Sequence, residues 1–317
     1  MTLPEKQPPA GRAAPADERE YPRDYRRLGA DILVTMRPLP RPSLDRECFQ
    51  SWPGLAQRIG SEPVLPVAAL IFHCSRCGST LLARLLELDP ALRVFSEPPA
   101  LPKFLAAHSA ALRRGAAVDE LRTFIQAFGL APKPPERRLI MKLTSRAVAY
   151  LPAFRAAFPG TPFVYLFRDP AGVVASLDAN PPPFLRDDQR REVAAEFDPH
   201  AAEVESLGCT DWLAWYVDRN LRLAWRHRAE FGNAIDYADH NNDYLDFARR
   251  FAPTGQMPDP SWVARVLNRH SKNPELAFTG GAKTFAPDWP SAFADAANEA
   301  YRLWQGETKK RSPRLRS

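Results

Sequence analysis

Long apolar runs are missing from this chain of 317 residues: none approaches the roughly 20 residues needed to cross a bilayer. The first residues, with Pro4, Glu5, Pro8, Pro9, Pro15, Asp17 and Glu18, also lack the apolar centre of a signal peptide. No membrane span is expected, and the expected location is cytoplasmic. Cysteine is scarce: Cys48, Cys74, Cys77 and Cys209 are too few and too irregular for a disulfide framework. Cys74-x-x-Cys77 has the spacing of half a zinc site or of a redox pair, but no second such pair and no Cys/His cluster supplies further ligands, so no metal is expected. A strong charge bias is absent too. Lys plus Arg exceed Asp plus Glu by 43 to 37, a net +6 that mildly favours anionic ligands and is too small to imply nucleic acid.

What is present is a repeated alternation of strand and helix signals. Val67–His73, Leu139–Leu143 and Phe163–Phe167 are apolar runs with the length and composition of buried parallel strands, and Leu92–Phe95 is a shorter candidate. Helical spacing follows from Ser79 towards Pro90, over 102–111 and 118–128, from about Ala147 to Phe158, from Pro170, and over 211–230, where Trp212, Trp215 and Trp225 read as core. Ala234–Tyr237 is a last strand candidate. The pattern predicts an α/β fold with a central parallel sheet flanked by helices. The predicted organisation is a disordered tail over 1–20, an irregular proline-interrupted extension over 21–66, one domain over 67–306, and a basic solvated tail over 307–317.

Two junctions carry the chemistry. His73-Cys-Ser-Arg-Cys-Gly-Ser-Thr80 lies between a strand and a helix, where backbone N–H groups form an anion site. Gly78 permits close backbone approach, Cys77 contributes its backbone N–H, Ser79 and Thr80 add hydroxyls, and Arg76 brings a fixed charge. The loop is not the G-x-x-x-x-G-K-[ST] of a nucleoside-triphosphate loop, because His73 stands at its first Gly and Ser79 at its Lys. In the second junction Arg168 leaves a strand end and Ser176 lies two helical turns on, a pair suited to a second phosphate. Lys142 closes an apolar strand at the edge where α/β folds bind ligands. His73 reads as a strand-end residue.

Over roughly Val67–Tyr237 the chain resembles the sulfotransferases that use 3′-phosphoadenosine-5′-phosphosulfate (PAPS). Their phosphosulfate loop corresponds to Ser75–Leu81, and their R-x(7)-S pattern for the 3′-phosphate to Arg168 and Ser176. Arg76 sides with the protein-tyrosine branch, where the cytosolic branch has Lys. Lys142 matches the cytosolic branch, but Thr144 stands where that branch has its catalytic His. In the protein-tyrosine branch the base is a Glu 21 positions beyond the loop Arg, which falls here on Glu97 in Phe95-Ser-Glu-Pro-Pro99, and the step of 26 from Lys142 to Arg168 also fits. The resemblance implies a nucleotide-kinase-like fold, PAPS as donor and PAP as product. It also implies an acceptor hydroxyl on a peptide tyrosine, carbohydrate or small molecule. Glu97 would be the base, with Arg76 and Lys142 stabilising the transferred group. Tyr237 resembles a later nucleotide-contacting Tyr, although Ala238 replaces its usual acidic neighbour, and Ser271, Lys272 and Lys283 are further candidate phosphate contacts. Two alternatives remain on the residues alone: a kinase using ATP and Mg²⁺, and a nucleotide-binding protein without catalysis.

Overall fold

The computed structural model describes residues 19–28, 31–39, 48–251, 260–267 and 289–311. It opens with three antiparallel strands, β1 (Arg19–Leu28), β2 (Asp31–Leu39) and β3 (Cys48–Ser51), in the order β1-β2-β3, followed by α1 (Trp52–Ser61). The stretch 21–66, expected to be irregular, is therefore largely regular. Its prolines mislead because they occupy positions a sheet tolerates. Pro22 sits in the edge strand β1, at a register shift between Pro22 and Asp24, and Pro38 lies beyond the part of β2 that pairs with β3. Residues 1–18 of the expected tail lie outside the described residues.

The main sheet has five parallel strands, β4 (Val67–His73), β5 (Leu92–Ser96), β6 (Arg138–Lys142), β7 (Phe163–Phe167) and β8 (Phe231–Asp236), in the order β5-β6-β4-β7-β8. Helices flank it: α2 (Ser79–Leu86), α3 (Ala100–Arg113), α4 (Val118–Gln126), α5 (Leu151–Ala157), α6 (Pro170–Ala179), α7 (Arg190–Phe197), α8 (Cys209–Arg226), α9 (His240–Phe251), α10 (Pro260–Leu267) and α11 (Ala294–Arg311). This is the expected central parallel sheet flanked by helices. The helix expected from about Ala147 to Phe158 begins only at Leu151, where Pro152 can occupy its first turn, and residues 145–150 form a 3-10 turn ahead of it. The basic tail expected from residue 307 is helical as far as Arg311. Residues 312–317 lie outside the described residues.

The strand order places the site. From β4 the chain turns towards β5 on one side, and from β7 towards β8 on the other. The crevice outside the carboxyl ends of β4 and β7 is therefore the topological switch point at which such sheets bind ligands. Behind it the core is aromatic. Phe72 of β4 packs against Phe154, Phe163 and Phe231, and Trp304 of α11 lies against Tyr165, Phe167, Phe231 and Trp225 while its Nε1–H reaches the Leu221 carbonyl at 3.1 Å.

One buried amide ties this core to the strand ends. Asn220 of α8, wholly inaccessible, donates to the Ser145 carbonyl at 2.8 Å and to the His73 carbonyl at 3.5 Å, and accepts the Tyr165 hydroxyl at 2.8 Å. Tyr216 adds a bond to the Ser145 hydroxyl at 2.7 Å. Asn220→Ala should lower the free energy of unfolding by about 1–3 kcal/mol for each buried partner it strands, measured by urea denaturation.

Candidate active site

The turn from β4 to α2 adopts a conformation that side chains resist. Ser75 (φ 77°), Arg76 (φ 48°) and Gly78 (φ 75°) all lie in the left-handed region, which is sparsely populated except by glycine. At Gly78 the constraint is twofold, because a Cβ there would stand 2.7 Å from the Tyr237 ring and 3.0 Å from the Tyr244 hydroxyl. No side chain caps α2, whose N-cap is Gly78, so its first N–H groups are presented to the crevice. The Tyr244 hydroxyl donates to the Cys77 carbonyl at 2.7 Å and holds the turn from behind.

A cavity of about 510 Å³ opens in front of this turn. It is lined by Ser75, Arg76, Gly78, Ser79 and Thr80 from the turn and α2, Ser96 and Glu97 from the end of β5, Lys142 and Ser145 from the end of β6, and Arg168, Ser176 and Tyr237. Ala179, Asn180, Pro182 and Phe184 close the remaining side. Of the residues singled out from the sequence, Arg76, Gly78, Ser79, Thr80, Glu97, Lys142, Arg168, Ser176 and Tyr237 thus meet at one cavity. Cys77 does not line it. Its side chain is fully buried beneath the turn, beside the equally buried Cys74. Ser271, Lys272 and Lys283 lie outside the described residues. Ser96 and Ser145 line the cavity without having been singled out in the sequence, where an isolated Ser carries no pattern.

At the end of β7, Arg168 is held in three ways. Its Nη1 donates to the Arg76 carbonyl at 3.2 Å, its Nε lies 3.3 Å from Asp169 Oδ1, and its guanidinium stacks 4.7 Å from the centre of the Tyr237 ring. Asp169 also caps α6, accepting the Gly172 N–H at 2.6 Å. Arg168 is thereby fixed against the first loop, and Tyr237 lies over both. Arg76 reaches across the mouth and donates to the Asn180 carbonyl.

On the other side, Lys142 is 2% exposed and forms an ion pair with Glu97, with the hydroxyls of Thr80 and Ser96 each at 3.4 Å from Nζ. Glu97 leaves β5 at φ 49°, an unusual geometry for a residue followed by proline, with its N–H donating to the Lys142 carbonyl at 2.8 Å. Its side chain keeps 41% of its surface open towards the cavity. Burial raises the proton affinity of this carboxyl, but hydrogen bonds from His73 and Lys142 and the Lys142 charge outweigh it and hold the group well below the usual carboxylate range.

No protein-family model and no curated protein matches the chain. Solved structures similar to it include the sulfotransferase domain of the olefin synthase of Synechococcus PCC 7002, at 14% identity over 77% of this chain and 95% of that one, with a TM-score of 0.43. A sulfotransferase from Alicyclobacillus acidocaldarius matches at 16% identity over 63% and 89% of the two chains, with a TM-score of 0.36. A third, from Mycobacterium avium, matches at 14% identity over 80% and 79%, with a TM-score of 0.40.

The pairing of Glu97 has a consequence for stability. A carboxyl whose folded pKa is depressed stabilises the fold above its unfolded pKa, and loses that contribution as the pH falls towards the folded value. Glu97→Gln should therefore be less stable than the wild type at neutral pH, where Lys142 loses its counter-ion, and the gap should narrow as the pH drops below about 4. Thermal unfolding across a pH series measures it.

Proposed function

We propose that the chain is a sulfotransferase that moves a sulfuryl group from PAPS to an acceptor hydroxyl. The observation that supports this reading is that Arg76, Gly78, Ser79 and Thr80 of the first turn, and Arg168 with Ser176 at the next strand end, line one cavity and could hold two anionic groups. A nucleotide bearing phosphate groups at both its 5′ and 3′ positions matches such a pair, and Tyr237, stacked on Arg168, offers an aromatic face beside them. Lys142 and Glu97 stand between turn and mouth, where the reaction would occur.

When bound, PAPS supplies an activated sulfuryl group whose displacement builds charge on the bridging oxygen of the departing phosphate. The N–H groups at the start of α2 and Arg76 would stabilise that charge, and Lys142 would turn to it from its pairing with Glu97. As Lys142 turns towards a bound anion, Glu97 loses its nearest cation and its proton affinity rises, the change that a general base needs. The protein-tyrosine-like features Arg76 and Glu97 favour a hydroxyl acceptor that a carboxylate deprotonates, a peptide tyrosine among them. An ATP–Mg²⁺ kinase is a weaker match, because Glu97, the one carboxylate lining the cavity among the described residues, is engaged by Lys142.

The first test is binding. PAP without any metal should raise the melting temperature of the full chain, as mass action requires of a ligand that binds only the folded state. Arg168→Ala should weaken PAP by about 1.5–3 kcal/mol, the range for hydrogen bonds to charged groups, and leave adenosine 5′-phosphosulfate nearly unaffected. Equal loss for both ligands would place Arg168 away from the 3′-phosphate.

The second test is turnover. With PAPS and cell extract, mass spectrometry for the sulfuryl mass gain identifies the acceptor. On that acceptor Glu97→Gln should lower kcat by about 10²–10⁴ while PAP affinity persists. Near-normal turnover would assign the base elsewhere.

A further inference from the structure

His73 is a buried titratable group without a part in the scheme above. It ends β4, is 2% exposed, and touches both halves of the site. Its Nδ1 accepts the N–H of Ser75, in the strained anion turn, at 3.0 Å. A ring nitrogen that accepts a hydrogen bond carries no proton, so the imidazole proton belongs on Nε2. Nε2 lies 2.9 Å from the Leu143 carbonyl and 3.2 Å from Oε1 of Glu97, a shared donor of the three-centre kind. Lys142 Nζ contacts the same oxygen, Oε1.

We propose that His73 is a positioning residue for the base: with Lys142 it fixes Oε1 of Glu97, and Oε2 is left as the oxygen that takes the acceptor's proton. This rests on the sulfotransferase reading of the site. In the step so served, the acceptor oxygen bonds to sulfur, the bond from sulfur to the bridging oxygen breaks, and PAP leaves with that electron pair. The hydroxyl proton passes to Oε2. When Lys142 turns towards the donor, the His73 Nε2–H is the contact that keeps Glu97 aimed. Through Ser75 the same ring ties the base to the turn that would hold the phosphosulfate. His73 thus sets the distance between the two.

Two variants separate positioning from mere filling. His73→Gln retains an N–H donor near the place of Nε2, whereas His73→Leu retains volume alone. In His73→Leu, kcat should fall about tenfold to 10²-fold, the scale of a misplaced catalytic group, with PAP affinity close to wild type. His73→Gln should recover most of that loss. Removing an N–H donor raises the pKa of a carboxylate, so the acid limb of the kcat profile should move to higher pH in His73→Leu. The other groups facing Glu97, namely Lys142, Arg76 and Tyr216, are the same in every variant, as is Cys77, which faces His73 together with Lys142. Independently of turnover, ¹⁵N spectra of the wild-type imidazole should show a neutral ring protonated at Nε2, with that resonance moving in Glu97→Gln.

An imidazolium at neutral pH, or a neutral ring protonated at Nδ1, would overturn the proposal. So would a His73→Leu variant that loses PAP affinity as steeply as kcat with an unmoved acid limb, and in that case the sulfotransferase reading would stand. A wild-type chain that neither binds PAP nor moves a sulfuryl group would sink both.

Discussion

A lysine ammonium buried at the carboxyl end of a central strand needs a counter-charge, because desolvating it alone is costly. For Lys142 that counter-charge is Glu97, and much of the site follows from the pairing. To bring the carboxylate over the end of β6, the chain must leave β5 in the left-handed region, anchor the Glu97 N–H on the Lys142 carbonyl, and turn at once into Pro98 and Pro99 ahead of α3. The hydroxyls of Thr80 and Ser96 complete the shell around Nζ from α2 and β5. Three elements are thus registered on one charge. An anionic ligand entering the cavity meets a cation whose existing partner can be exchanged, so charge is present there before the ligand arrives.

The sheet order explains why this charge lies at an open crevice. β4 and β7 are neighbours, but their outgoing connections diverge, which leaves their carboxyl ends uncovered. The turn after β4 and Arg168 after β7 then face one crevice, joined by the bond from Arg168 to the Arg76 carbonyl. Asn220 supports the arrangement from below, bonding groups on β4, on β7 and after β6 at once. A small shift of α8 would therefore be felt at three strand ends. This is why a residue without contact to the cavity bears on its geometry.

The parallel strands were legible because burial on both faces writes itself as an unbroken apolar run. Phe163–Phe167 has the same bounds in the sequence and in the fold, and β4 and β6 differ from their runs by a residue at most. The N-terminal sheet was not legible, since Pro22 and Pro38 mimic loop chemistry while sitting at a register shift and beyond a pairing partner. Within the site, Arg76, Arg168 and Lys142 could be read because each is a charged residue closing an apolar strand or following one. Their contacts could not. The Lys142–Glu97 pair joins residues 45 positions apart, and the His73–Glu97 contact joins the ends of two strands separated by α2. His73 did carry the signal that made Lys142 stand out, a titratable side chain ending a buried strand, but a single histidine has many structural explanations.

Ser75, Arg76 and Glu97 share one more property: each is a non-glycine residue at positive φ, and all three lie on the same edge of the same sheet. Such conformations cost of order 1–3 kcal/mol apiece and persist only where surrounding contacts over-determine them. The contacts are identifiable. Ser75 N–H is held by His73 Nδ1, the Arg76 carbonyl by Arg168, and Glu97 N–H by the Lys142 carbonyl. Each anchor is itself a residue at a strand end: Arg168 after β7 and Lys142 of β6 restrain the junctions after β4 and β5, and His73 holds Ser75 within its own junction. A packing accident would leave these outliers scattered and separately supported. Their mutual support at one edge describes a set of groups held in fixed relation before any ligand binds, which is the condition electrostatic catalysis requires.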